Sequence, residues 1–182
     1  AITLQALHRP AEALASCDRA LALRPDFAAA FNNRGIALQK LRRTDEAVVA
    51  FQQALVLQPD TADFQANLGV AFQELGHLEL AEASLRQALP AGTAQAFQGL
   101  ASLFYQMARF EEATEIYRQW LEHEPDNPIA RHMTAVGSDA PPDRCSDAFV
   151  TKLFDGFADN FENVLIGLGY QVPQFLTSLL QT

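Results

Sequence analysis

The stretch FNNRGIALQKLRRTDEAVVAFQQALVLQP, Phe31 to Pro59, decides how the rest of the chain is read. Phe31, Gly35 and Leu38 fall on one face of a first helix, and Ala47, Phe51 and Ala54 on one face of a second. Gly35 and Ala47 are small, so they suit the points where two helix backbones approach; Phe31, Leu38, Phe51 and Leu55 fill the space around them. Pro59 forbids the second helix from continuing. The stretch therefore reads as two antiparallel helices with a polar turn, Arg42-Arg43-Thr44-Asp45, between them.

Working outward, the same template recurs at a constant step. Backward, that step takes Pro59 to Pro25, Ala54 to Ala20, Phe51 to Cys17 and Ala47 to Ala13. Forward, it takes Gly35 to Gly69, Leu38 to Phe72, Ala47 to Ala81, Phe51 to Leu85 and Ala54 to Ala88. The next unit falls two positions short of the step: Ala81 is answered by Ala113, and Pro90 cuts the preceding helix short. Phe97, Leu100, Ala101, Phe104, Ala113, Tyr117, Trp120 and Pro125 then take the template positions, with Ala101 answering Gly35 and bulky Trp120 answering Ala54.

This spacing of small, aromatic and proline positions resembles the tetratricopeptide repeat, a helical hairpin with a period of about 34 residues. The resemblance implies an all-α fold, a right-handed superhelix of stacked α-α hairpins with C-terminal capping helices. The expected organisation is a solenoid over 1–136, made of a partial repeat at 1–27, whole repeats at 28–61, 62–93 and 94–127, and a half repeat at 128–136. The partial repeat lacks the start of its first helix, which leads to the expectation that further residues precede Ala1. A stiff linker follows at 137–145, including Pro141-Pro142, and then a helical tail at 146–182. In that tail Phe149, Leu153, Phe154, Phe157, Phe161, Val164 and Leu165 make one apolar helix face, which reads as a cap on the stack or the start of a further domain.

Composition narrows the function. With Lys+Arg 13 against Asp+Glu 22 and a formal net charge of −9, the chain lacks the basic surface that nucleic acid or an anionic membrane face requires. No apolar run reaches the length of a membrane span, and the opening AITLQALHRP has no signal-peptide pattern, so a cytoplasmic location is expected. Cys17 and Cys145 make no disulfide framework, and Cys17, in the slot of Phe51, is expected as a small buried group.

The residues offer no catalytic centre. His8, His77, His123 and His132 contain no pair at the spacing of a helical metal site and read as solvated, so no metal and no cofactor is expected in this chain. The acidic pairs Asp45-Glu46, Glu79-Glu82 and Glu111-Glu112 read as solvated faces near helix starts. There is no Gly-rich phosphate loop and no nucleophile elbow.

What remains is binding. In the family that the repeat resembles, the residue two before the small position of the first helix points into a concave groove; here it is Asn33 and, one repeat on, Asn67. A side-chain amide offers both a donor and an acceptor, which suits the backbone of an extended peptide. The expected groove residues are Asn32, Asn33, Ile36, Lys40, Asn67, Val70, Gln73, Gln98, Ser102 and Tyr105, a neutral, amide-rich wall with Lys40 as its cationic exception. The fourth unit has Gly99 where the others have Asn, so the amide ladder is expected to stop there. The expected partner is a protein or an extended peptide segment, and self-association through repeat ends is a further expectation.

The segment from His132 to Leu176 carries a second resemblance. His132-Met133, Ala140-Pro141-Pro142, Ser146-Asp147-Ala148, Phe154-Asp155, Phe157-Ala158, Phe161 and Leu168-Gly169-Tyr170 followed by Pro173 look like the region that joins repeats to a catalytic domain in tetratricopeptide-containing predicted methyltransferases. That resemblance implies S-adenosylmethionine as a cofactor of the parent protein, with the solenoid as a substrate-recruiting arm.

Overall fold

A computed structural model of the chain describes residues 9–137 and 146–151. Its helices are α1 (Pro10–Leu23), α2 (Ala28–Lys40), α3 (Thr44–Leu57), α4 (Ala62–Glu74), α5 (Leu78–Ala88), α6 (Ala94–Gln106), α7 (Phe110–His123) and α8 (Pro128–Val136), with a 3-10 turn at Leu89–Ala91. No strand occurs among the described residues. The contacts divide the chain into two units, Ala1–Pro125 and Asp126–Thr182.

In the first unit α2 packs on α3, α4 on α5 and α6 on α7, and these hairpins stack in sequence order through α3 against α4 and α5 against α6. The expected α-α solenoid is therefore the observed architecture. Its core is the template read from the sequence: Leu38, Ala47, Phe51, Ala54, Ala81, Leu85, Ala88, Phe97, Leu100, Ala101, Phe104, Ala113 and Trp120 are all buried. Phe31 and Leu55 pack beside the buried Ala28, Ala54 and Phe64, as the template requires.

Each hairpin turns through a left-handed residue: Arg42 at φ +61°, Gly76 at φ +78° and Ala108 at φ +57°. The amides of Arg43, His77 and Arg109 return to the carbonyls of Leu38, Phe72 and Phe104 at 2.9, 2.9 and 2.8 Å. This closes the helix end in a Schellman arrangement, in which glycine is the unstrained residue. Pro25-Asp26 and Pro59-Asp60 form the turns between hairpins, as their composition predicts, although neither aspartate caps the next helix.

The shortened repeat has a visible form. Helix α5 has 11 residues where α3 and α7 each have 14. Pro90 diverts the chain into the 3-10 turn, Gly92 at φ +68° reverses it, and Thr93 accepts a hydrogen bond from the Ala96 amide to start α6.

In the second unit Asn127 caps α8 by accepting from the amides of Ile129 and Ala130, both at 3.0 Å, with Pro128 in the first turn. Ser146 accepts from the Phe149 amide at 3.2 Å and starts the helix of residues 147–151. Of the linker expected at 137–145, residues 138–145 with Cys145 lie outside the described residues, as do the apolar tail face from Leu153 onward and His8. Among the described residues no helix is long and apolar enough to cross a membrane.

Candidate functional site

The first helices of successive hairpins lie side by side, α2 against α4 and α4 against α6. All of the groove residues expected from the sequence belong to these three helices. The wall they form is tied by its own amides. Asn67 donates to Asn32 Oδ1 at 2.8 Å, and Gln95 donates to Asn67 Oδ1 at 2.6 Å, so one relay links α2, α4 and α6. Further along, Gln73 donates to Ser102 Oγ at 3.3 Å and to Gln106 Oε1 at 3.0 Å.

The sequence equates Asn33 with Asn67, but it is Asn32 that meets Asn67 in space. A repeat period relates equivalent positions, whereas contact between neighbouring helices joins the forward side of one to the backward side of the next. Asn32 and Asn67 are each 8% exposed, and each is satisfied within the wall, as a buried amide must be. Asn33 is half-buried and makes no side-chain hydrogen bond to the described residues. Ile36, Val70, Gln73 and Tyr105 are also half-buried, while Lys40, Gln98 and Ser102 are exposed.

Gly99 ends the row of asparagines for a packing reason. A β-carbon on residue 99 would lie 2.7 Å from Leu85 Cδ2 and 3.6 Å from Val70 Cγ2. Leu85 also presses on Gly69, whose β-carbon would lie 2.6 Å from its Cγ, so this leucine wedges between α4 and α6 and takes the space a side chain at 99 would need.

The charges are distributed in a way the sequence reading missed. Glu82 and Glu112, expected as solvated, join a network across two hairpins: Arg109 meets Glu82 at 2.6 Å and Glu112 at 2.5 Å, and Arg86 meets Glu82 at 2.7 Å. The Arg109 guanidinium also lies 4.4 Å from the Phe104 ring centroid. Hydrogen bonds from Arg109 hold the carboxyls of Glu82 and Glu112 below the usual carboxylate range and push the guanidinium itself higher. Glu82 follows the small position Ala81 and Arg109 lies in the turn of the next hairpin, 27 residues on, a spacing that is not the repeat period and gave no signal in the sequence.

An aromatic stack fills the last hairpin. Trp120 lies parallel to Phe97 at 5.8 Å between centroids, Tyr117 to Trp120 is 6.4 Å, and Tyr105 bridges Tyr117 and Phe110. Burial, and secondarily Tyr105, pushes the Tyr117 phenol up to about 12.

Two smaller expectations change. Cys17 is half-buried rather than buried, because the substantial packing of α1 is on α2 and the helix has no fully buried residue; burial raises its thiol pKa. His132, expected as solvated, is half-buried with its ring 3.9 Å from that of Phe149, whereas His77 and His123 are exposed as expected. Among the described residues no group of three or more His, Cys, Asp or Glu could hold a metal ion.

Family models of the tetratricopeptide repeat match residues 28–61, 62–89 and 96–129. Among solved structures, a thermophilic TPR protein of Thermus thermophilus, TTC0263, is 26% identical, with 72% of this chain and 74% of that one covered at a TM-score of 0.64. MamA is 16% identical over 86% of this chain and 90% of that one, with a TM-score of 0.61. The first TPR of Spaghetti (RPAP3), bound to the HSP90 peptide SRMEEVD, is 23% identical over 61% of this chain and 96% of that one, with a TM-score of 0.54. No curated protein sequence matches the chain. Three matched repeats, together spanning more than half of the residues and coinciding with three stacked hairpins, make this chain a member of the tetratricopeptide repeat family.

Proposed function

We propose that the chain is a protein-interaction scaffold whose α2, α4 and α6 wall lines a groove for an extended segment of a partner. The observation that carries this reading is the continuous strip of amides across three neighbouring helices, fixed by the Asn32–Asn67–Gln95 relay and flanked by Asn33, Gln98 and Ser102. Fixed amides offer hydrogen bonds at little ordering cost, and they suit a peptide backbone more than any particular side chain. The strip holds one cation, Lys40, which disfavours grip on a terminal carboxylate; in this it differs from what an acidic ligand such as SRMEEVD would need.

The test selects neutral extended peptides against the chain by display and then measures affinity by titration. Asn33→Ala with Gln98→Ala is expected to weaken binding about thirtyfold, from two hydrogen bonds of ~1 kcal/mol each. Gln53→Ala, at an exposed position of α3, is expected to leave it unchanged. Equal binding by all three proteins rejects the groove.

The resemblance of the His132–Leu176 segment supports a second reading, in which the scaffold recruits protein substrates to a methyltransferase domain of the parent protein. Its test is S-adenosylmethionine binding by the full-length parent, with methyl transfer to a groove-bound peptide that the Asn33→Ala, Gln98→Ala variant reduces.

A further inference from the structure

Beside the shortened middle hairpin, α4–α5, lies a cleft of about 440 Å³ lined by Leu89, Pro90, Phe97, Glu115, Gln119, Glu122 and His123. Helix α5 is three residues shorter than α3 or α7, and the chain continues from it as the 3-10 turn Leu89–Ala91, which borders the cleft. The α7 lining residues recur at steps of four, three and one, so a single face of that helix lines the cleft. The opposite wall is apolar: Leu89 and Pro90 of the 3-10 turn, with buried Phe97 behind. None of the proposed groove residues takes part.

The chemistry of the uncovered face is anionic. Glu122 is exposed and makes no hydrogen bond or ion pair among the described residues. Glu115 pairs with Arg118, three residues on in the same helix, with both side chains about half exposed, and it accepts from Gln119 Nε2 at 3.4 Å, which leaves the Gln119 amide oxygen unused. Such a pair contributes little and is readily exchanged. The lysines and arginines from Thr44 to Pro125 are Arg86, Arg109 and Arg118, and each is already engaged by a glutamate of its own or a neighbouring helix. The cleft thus joins an apolar wall to an uncompensated carboxylate.

We infer that this cleft is a second docking site, independent of the groove, which takes an arginine side chain presented by a basic segment of a partner protein. The methylene stem lies along Leu89 and Pro90, the guanidinium forks onto the Glu122 carboxylate, and the Gln119 amide oxygen accepts a further N–H. Arginine suits the site better than lysine because its planar fork meets a carboxylate through two hydrogen bonds and sheds water more readily.

The experiment follows backbone amide shifts of the labelled chain by NMR during titration with acetyl-Gly-Arg-Gly-amide and with its citrulline counterpart, which keeps the shape and removes the charge. The expected result is a saturating shift at Gln119, Glu122 and His123 with the arginine peptide alone, and at least fivefold weaker binding in Glu122→Gln. Glu111→Gln, an exposed carboxylate at the other end of α7, serves as control and is expected to bind as the parent does. Equal shifts with the citrulline peptide, unchanged binding in Glu122→Gln, or an equal loss in Glu111→Gln each overturns the inference, the last by reducing it to general attraction to an acidic surface.

Discussion

Gly35 lies against the ring of Phe51: a β-carbon on residue 35 would fall 2.5 Å from ring atom Cε1 and 2.7 Å from Cδ1. The closest approach of α2 and α3 is thus set by a missing methyl group on one helix and a ring on the other. Gly35→Ala is expected to destabilise the chain by ~1–3 kcal/mol through overpacking. Combining it with Phe51→Leu should recover part of that loss, giving a favourable coupling in a double-mutant cycle read by urea denaturation. A purely additive pair would mean that the two residues do not press on each other.

Ala108 and Arg42 hold left-handed backbone where Gly76 holds it in the middle hairpin. A residue with a β-carbon is strained there by ~1 kcal/mol or more. Ala108→Gly is therefore expected to raise the melting temperature, and Gly76→Ala to lower it. The two shifts should be similar in size, and thermal unfolding followed by circular dichroism measures both.

Trp120 is 1% exposed, and its indole nitrogen, buried, has no hydrogen-bond partner among the described residues. Trp120→Ala removes the ring that stacks on Phe97 and is expected to cost ~3–5 kcal/mol. Trp120→Phe should cost much less, since it also removes the unpaired N–H, whose burial is itself unfavourable. Because Trp120 is the sole tryptophan, a red shift of its fluorescence on exposure to water is expected to report the unfolding of this hairpin directly.

Glu82 and Glu112 titrate lower in the folded chain than in the unfolded one, with Arg109 as the leading cause. Their contribution to stability is complete above the unfolded carboxyl pKa of about 4.3 and is lost as pH falls through the lowered folded values. The melting temperature should accordingly drop below about pH 5, and Arg109→Leu should drop less steeply over the same range. Parallel curves for the two proteins would remove the network from the acid response.

Asn67→Ala breaks both bonds of the relay and strands the buried Asn32 amide oxygen, while the exposed Gln95 turns to water. The expected cost is ~1–3 kcal/mol, with Asn32→Ala, Asn67→Ala costing less than the sum of its single changes. Chemical denaturation of the four proteins decides it.

Prolines and small residues made the architecture legible, because Pro25, Pro59 and Pro125 can end helices and Gly35 or Ala81 can face a neighbouring backbone wherever they occur. These are local demands, visible in the sequence alone. Even the lean third repeat showed itself through Pro90. The wall was legible as a set of residues but not as a set of bonds. Which amide meets which depends on how successive helices are rotated, so Asn32 rather than Asn33 reached Asn67. The Glu82–Arg109 pair was missed for a related reason: its partners are 27 residues apart, and no local pattern joins them.

The substantial contacts of the first unit run between helices of one hairpin or of adjacent hairpins, and α1 touches α2 without burying any residue fully. Loss of structure in such a stack travels like a zip rather than an explosion. Hydrogen exchange should then be graded along the chain, fastest at α1 and slower toward the hairpins sandwiched on both sides. A partner that clasps α2, α4 and α6 at once would convert that graded fraying into a single concerted opening, so occupancy could be read from the kinetics of unravelling alone.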